Sequence, residues 1–172
     1  GFRVPFLARW PGRIPANSTC IKPAMTIDIL PTVARLIEEP LPKQAIDGQD
    51  IWPLLAGEPG AKSPQEAYYF YWAHHLHAVR CGRWKLHLPH EYRTLNGRPG
   101  GTGGTPVKYD TGMIDLALFD LNSDPGESIN VADQHPDVVA RLRALAKSIQ
   151  TELGEGSQRG TGQRDAGELK QP

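Results

Sequence analysis

Trp84-Lys85-Leu86-His87-Leu88 alternates apolar and polar residues. In an extended chain, Trp84, Leu86 and Leu88 share one face and Lys85 and His87 the other. Such a stretch reads as a strand with one side against a core. Just before it, Cys81-Gly82-Arg83 has the composition of a hairpin turn, and Leu76 to Arg80 reads as the partner strand. Further upstream, Ala67 to Trp72 is almost wholly aromatic, which favours β structure. Ala117 to Leu121 supplies a fourth run downstream. Hairpin-linked runs predict a four-stranded antiparallel sheet.

A sheet with one apolar face needs a cover. Pro136 opens a segment in which Val138, Leu142, Leu145, Ile149 and Leu153 recur on one helical face, with His135 as the cap position and Gly154 as the stop. This long helix is expected to lie on the sheet. Between the strands, Arg93 to Asp115 carries many glycines and no hydrophobic period, so it is expected as a long loop. Beyond the helix, residues 155–172 are polar and without period and are expected as a disordered tail.

The first third reads differently. Val4 to Trp10 is short and apolar, closed by Pro11-Gly12, and predicts a buried strand. Ile27 to Glu38 predicts a helix with Ile29, Val33, Leu36 and Ile37 as its stripe, Thr26 or Asp28 as cap and Pro40 as stop. Asp50 to Leu55 predicts a helical turn that docks Trp52 and Leu55. One strand and one helix cannot bury their own apolar faces, so residues 1–62 are expected to be the end of a larger α/β domain. Residues 63–154 then form the sheet-and-helix domain.

The 172 residues carry 19 basic and 19 acidic groups, a net charge of zero, which gives no electrostatic case for nucleic acid or an anionic membrane. No apolar run reaches the roughly 20 residues of a membrane span. The chain opens Gly1-Phe2-Arg3 without a Met, and we expect a piece of a longer protein. Cys20 and Cys81 match no zinc spacing; two free thiols are expected, with a single bridge left open.

Chemistry-bearing patterns are sparse. His74, His75, His77, His87 and His90 lack carboxylates or Cys at ligand spacing and read as surface or pocket-wall histidines. There is no Gly-x-Ser-x-Gly elbow. Gly100 to Thr105 lacks the Lys-Ser/Thr ending of a phosphate loop. Asp124-Pro125-Gly126 is a turn signal, with Glu127, Asn130 and Asp133 placed to brace it.

Several motifs nevertheless share an order. Gly1-Phe2-Arg3-Val4-Pro5 with Arg9-Trp10-Pro11-Gly12-Arg13-Ile14, Asp28-Ile29-Leu30-Pro31-Thr32, and Asp47-Gly48-x-Asp50-Ile51-x-Pro53-Leu54-Leu55 come first. Ala78-Val79-Arg80-x-Gly82-x-Trp84-Lys85-Leu86 and Leu118-Phe119-Asp120-Leu121-x-x-Asp124-Pro125-Gly126-Glu127-x-x-Asn130 follow. Together they resemble the C-terminal part of sulfatases of the arylsulfatase A and N-acetylgalactosamine-6-sulfatase type.

The resemblance implies an α+β fold: a four-stranded antiparallel sheet packed on a long C-terminal helix, preceded by a strand-helix remnant of an alkaline-phosphatase-like α/β domain. It implies a parent enzyme that hydrolyses sulfate esters with a formylglycine and a calcium ion. Neither group is expected here, and no catalytic or metal-binding residue, because the modification motif Cys/Ser-x-Pro-x-Arg is absent. Partners implied are a sulfated small molecule or glycan and the N-terminal catalytic domain, with a dimer through exposed apolar surface as a further possibility. The parent is expected to be periplasmic or secreted. His90, then Tyr92, Arg93 and His74, are the expected substrate contacts; a structural or solvent-facing role stands beside that for each. Arg3 is read as pairing a buried carboxylate. The alternatives are a stand-alone glycan-binding or interaction module, or a fragment of a related phosphoesterase.

Overall fold

The computed structural model describes residues 4–165, so Arg3 lies outside the described residues. The chain divides into two compact units, Gly1–Glu66 and Ala67–Pro172.

In the first unit a 3-10 turn, Thr26–Asp28, leads into α1 (Ile29–Leu36), and α2 (Trp52–Leu55) follows. Asp28 is fully buried. It occupies the expected cap position of α1 but makes no side-chain cap bond to that helix: one carboxylate oxygen accepts the Met25 N–H at 2.8 Å and the other accepts the Gln49 N–H at 2.9 Å. One turn on, the Thr32 hydroxyl donates to the Asp28 carbonyl at 2.6 Å and accepts the Ile51 N–H at 2.9 Å. Asp50 caps the Trp52 N–H at 2.8 Å and pairs with Arg35 at 3.0 Å. Gly48 is required by close approach, since a Cβ there would lie 2.0 Å from the Ile27 carbonyl oxygen. Two of the motifs are therefore one tether of a loop onto a helix.

Two further expectations in this unit need correction, the strand and the companion of Trp52, whereas the exposed stripe of α1 agrees with the expectation that this segment cannot bury its own apolar faces. Val4 to Trp10 forms no strand, and Val4, Phe6 and Leu7 are exposed. A strand needs a neighbour for its N–H and C=O groups, and no described residue pairs with this run. The face of α1 that is buried carries Pro31, Thr32 and Ala34, whereas Ile29, Leu30, Val33 and Ile37 are exposed. In α2, Trp52 is buried as expected but its companion is Leu54 rather than Leu55.

The second unit contains the antiparallel sheet in the order β1 (Tyr68–Trp72), β2 (His75–Cys81), β3 (Trp84–His87), β6 (Ala117–Asp120). Gly82, at φ +57°, makes the two-residue turn into β3. Tyr69, Val79, Leu86 and Leu118 are cross-strand partners and share the face covered by α3 (Pro136–Leu153). Leu86, Leu118 and Leu142 of α3 are fully buried together, and Val79 packs with Ala146 in the adjoining cluster. Burying each of these aliphatic side chains contributes about 1.5–3 kcal/mol. His135 makes no side-chain cap bond at α3, and Leu153 at its far end is half-exposed.

The expected long loop is shorter than predicted. Within it β4 (His90–Thr94) pairs antiparallel with β5 (Asp110–Ile114) as a separate two-stranded sheet. Neither strand alternates apolar with polar residues, because neither covers a core. Part of the expected tail is also structured: β7 (Gly154–Glu155) pairs with β8 (Gln158–Arg159) directly after α3. Gly154 at φ +97° stops the helix, and close backbone packing there replaces apolar periodicity as the ordering force. Cys20 and Cys81 are free thiols. Among the described residues no helix is long and apolar enough to cross a membrane.

Candidate substrate-side face

The strand alternation that hides Leu86 presents Lys85 and His87 on the opposite face of the sheet. Both meet Glu127, which the turn after β6 delivers from below. The Lys85 Nζ donates to the two Glu127 oxygens at 2.6 and 2.8 Å, and His87 Nε2–H donates to Oε2 at 2.6 Å. Burial alone would raise the Glu127 pKa. The hydrogen bonds from His87 and Lys85, and their charge, overcome it and lower the value from 4.5 to about 2.

The turn that carries Glu127 is braced at every step. Asp124 accepts the backbone N–H groups of Ser128 and Ile129 at 2.7 and 2.8 Å. Asn130 Oδ1 accepts those of Leu118 and Ala132, each at 3.0 Å. Asp120 pairs with Arg83. Glu127 itself adopts φ +56°, a left-handed conformation unusual for a side chain of this size. Of the three expected braces Asn130 acts as one, Glu127 reaches across to β3 and Asp133 lies in the following 3-10 turn, Ala132–Gln134; the second brace is Asp124, from the turn signal itself.

Beside this cluster three imidazoles stack. His77 and His90 have ring centroids 4.0 Å apart, and His87 and His90 5.3 Å. His90 Nδ1–H donates to the Leu88 carbonyl at 2.6 Å, which leaves Nε2 as the free ring nitrogen. Its pKa lies below the ordinary value: burial is the main cause, and the charges of His87 and Lys85 add to it against the Leu88 hydrogen bond. His77 is lowered for the same first reason, with His90 next. His87 Nδ1 is buried without a hydrogen-bond partner among the described residues.

Of the four expected contact residues, His90 lies in this stack. Arg93 is on the same strand, and its guanidinium sits 5.8 Å from the centroid of the Trp72 ring. Tyr92 is 46% exposed and its ring covers Gly112, where a Cβ would come within 2.8 Å of it. His74 is not part of the stack. It occupies the β1–β2 turn, with its carbonyl accepting the Gly156 N–H at 2.8 Å. His77, His87, Lys85 and Glu127 were not expected as site residues; the shared strand face of Lys85 and His87 was the one signal pointing to them.

Among the described residues no group of three or more His, Cys, Asp or Glu could hold a metal ion. A cavity of about 800 Å³ is walled by one loop of the first unit, Ala8 to Ser18, which carries no histidine or carboxylate. We therefore locate the candidate site on the histidine face.

Residues 63–167 match the family model described as the C-terminal region of aryl-sulfatase, and residues 1–92 match that of the C-terminal part of N-sulphoglucosamine sulphohydrolase. Human arylsulfatase A is 35% identical, with 84% of this chain and 30% of that protein covered. Mouse steryl-sulfatase is 33% identical (89% and 27%), and N-acetylgalactosamine-6-O-sulfatase of Bacteroides thetaiotaomicron 31% (88% and 28%). The chain thus spans under a third of the length of these relatives. Among solved structures, one from work on the metabolism of multiple glycosaminoglycans by Bacteroides thetaiotaomicron superposes with TM-score 0.50 at 31% identity, over 72% of this chain and 24% of that one. A second, in complex with its substrate D-glucosamine-2-N,6-O-disulfate, superposes with TM-score 0.52 at 22% identity, over 83% and 27%, and shows likeness of fold. On the extent of the first match, this chain belongs to the sulfatase family, as a C-terminal region of the aryl-sulfatase type.

Proposed function

We infer that the protein is the C-terminal portion of an enzyme that hydrolyses sulfate esters, and that its histidine face and strand β4 form part of the substrate side. What supports this most is the stack of His77, His90 and His87, in which His90 Nε2 is left free to meet a ligand. In the whole enzyme a formylglycine would supply the nucleophile and a calcium ion would hold sulfate oxygens. The described residues do not fit either group: they offer no metal-ligand cluster, and neither Cys20 nor Cys81 sits in a Cys-x-Pro-x-Arg sequence.

The chain's own residues divide the task by charge. Lys85 and His87 are occupied by Glu127 and serve to hold the face in shape. His90, kept neutral by burial with its proton on Nδ1, suits a hydroxyl that donates to Nε2 rather than the sulfate itself. Arg93 can fork onto a sulfate or a carboxylate of the same substrate, and Tyr92 adds an exposed ring. The ligand is a sulfated small molecule or glycan. The exposed apolar face of α1, with Ile29, Leu30, Val33 and Ile37, is the surface that the remainder of the catalytic domain covers, with self-association as the other way to bury it.

Turnover of 4-nitrophenyl sulfate by the whole protein is expected; Arg93→Ala should raise KM about tenfold, the worth of a charge-assisted hydrogen bond, and His90→Ala about fivefold, the worth of a neutral one. Hydrolysis of phosphate esters with none of sulfate esters would overturn this reading in favour of a related phosphoesterase.

A further inference from the structure

We propose that Glu155 is a positioning residue: from the short hairpin after α3 it clamps the β1–β2 turn and thereby places His77 against His90. The proposal rests on the histidine face being the substrate side. Glu155 Oε2 accepts the Leu76 N–H at 3.1 Å and the Gln150 side-chain amide at 3.0 Å, while Oε1 lies 2.9 Å from His75 Nδ1. Two further bonds hold the hairpin to the same turn. The Gly156 N–H donates to the His74 carbonyl at 2.8 Å, and the Tyr71 hydroxyl donates to the Gly154 carbonyl at 3.1 Å.

The clamp acts at an irregularity in the sheet. Phe70 pairs with Ala78 but Tyr71 pairs with Leu76, so His77 is the extra residue of a bulge. A bulge gives up ladder partners and re-aims the side chain it carries. Here the Glu155 carboxylate takes the N–H on one side of His77. On the other, the Leu88 N–H donates to the His77 carbonyl at 2.9 Å. Leu88 in turn accepts the His90 Nδ1–H at 2.6 Å. A continuous run of contacts, Glu155 to Leu76, His77, Leu88 and His90, therefore joins the C-terminal hairpin to the stack.

The seat of the clamp is narrow. A Cβ at Gly160 would lie 2.1 Å from the Glu152 carbonyl oxygen, and one at Gly154 2.4 Å from that of Gln158. Burial works against the Glu155 charge. The Leu76, Gln150 and His75 hydrogen bonds prevail and hold its pKa below the ordinary value. That charge supports protonation of His77, against burial and the neighbouring His90, His75 and His87, which oppose it.

Two variants of the full chain, followed by NMR, test this. Glu155→Ala removes acceptor and charge, and Leu76 amide exchange is expected to quicken at least about tenfold, with His77 and His90 ring resonances displaced. Glu155→Gln keeps an acceptor but loses the charge: Leu76 protection should largely return, while His77 titrates at lower pH than in the unaltered chain. Wild-type Leu76 exchange in Glu155→Ala, or an unchanged His77 titration in both variants, overturns the proposal. In the whole enzyme Glu155→Ala should raise KM severalfold with kcat retained, and a wild-type KM overturns the positioning role. A wild-type KM for His90→Ala instead overturns the substrate-face reading and leaves the NMR result standing.

Discussion

Glu127 Oε2 lies 2.6 Å from His87 Nε2, although the two residues are 40 positions apart in the chain. The bond ties the turn after β6 to the open face of β3, and Lys85 closes it from the second oxygen. Three charged or ionisable groups thus share one partly buried spot, with a carboxylate as the common acceptor. The histidine stack is built on this base, which makes Glu127 the group whose loss is felt furthest.

Glu127→Ala should destabilise the chain by about 2 kcal/mol, since it strips Lys85 and His87 of their acceptor and leaves alanine at a positive φ. Glu127→Gly loses the same acceptor but accepts the backbone conformation. It should therefore be the milder change by about 1 kcal/mol, and urea unfolding of both variants measures the difference. Equal losses would show that the backbone at this turn carries no strain.

The same carboxyl governs acid behaviour. Its folded pKa of about 2 lies below the ordinary 4.5, so the folded state binds fewer protons than the unfolded one between those values. Its contribution is complete above pH 4.5 and is lost as pH falls toward 2. Asp124 and Glu155 are lowered as well and act in the same direction. Urea midpoints taken at pH 5, 4, 3 and 2 should fall steadily, and the fall should be shallower in Glu127→Gln.

His77 and His90 carry a second pH dependence, in a higher window. Both are lowered from 6.5, so just below that value the unfolded state binds more protons and stability rises with pH. Unfolding midpoints should increase from pH 5.5 to 7.5, and His90→Phe, which keeps a ring in the stack, should flatten part of that slope. A slope unchanged in His90→Phe would assign the effect to other groups.

Gly48 makes a separate prediction for the first unit. Gly48→Ala drives a Cβ to 2.0 Å from the Ile27 carbonyl oxygen, against backbone that cannot step aside. A loss of about 1–3 kcal/mol is expected, with faster exchange of the Ile51 N–H that Thr32 holds. Gly60→Ala is the control: it has φ +77° but open space around it, and should cost only about 1 kcal/mol.

Reading residues in order identified the strands whose two faces differ. Alternation in Trp84 to Leu88 and the apolar face of Pro136 to Leu153 follow from chemistry that acts over a few residues, and the structure places Leu86 against Leu142 accordingly. Where no core is covered, that signal vanishes, and β4, β5 and the hairpin after Gly154 were invisible for this reason. The stripe on α1 is the converse case, apolar by sequence yet exposed in the described chain.

Of the candidate site, His90 and Arg93 could be singled out by residue type and resemblance alone. The partners that define their chemistry could not. Glu127 meets His87 across 40 residues and Glu155 meets Leu76 across 79. Such pairings depend on how a turn and a hairpin fold back onto a sheet. Sequence determined which faces and turns could exist here; only the tertiary structure decided which carboxylate reaches which imidazole, because hydrogen bonding acts over a few ångströms of space and not along the chain.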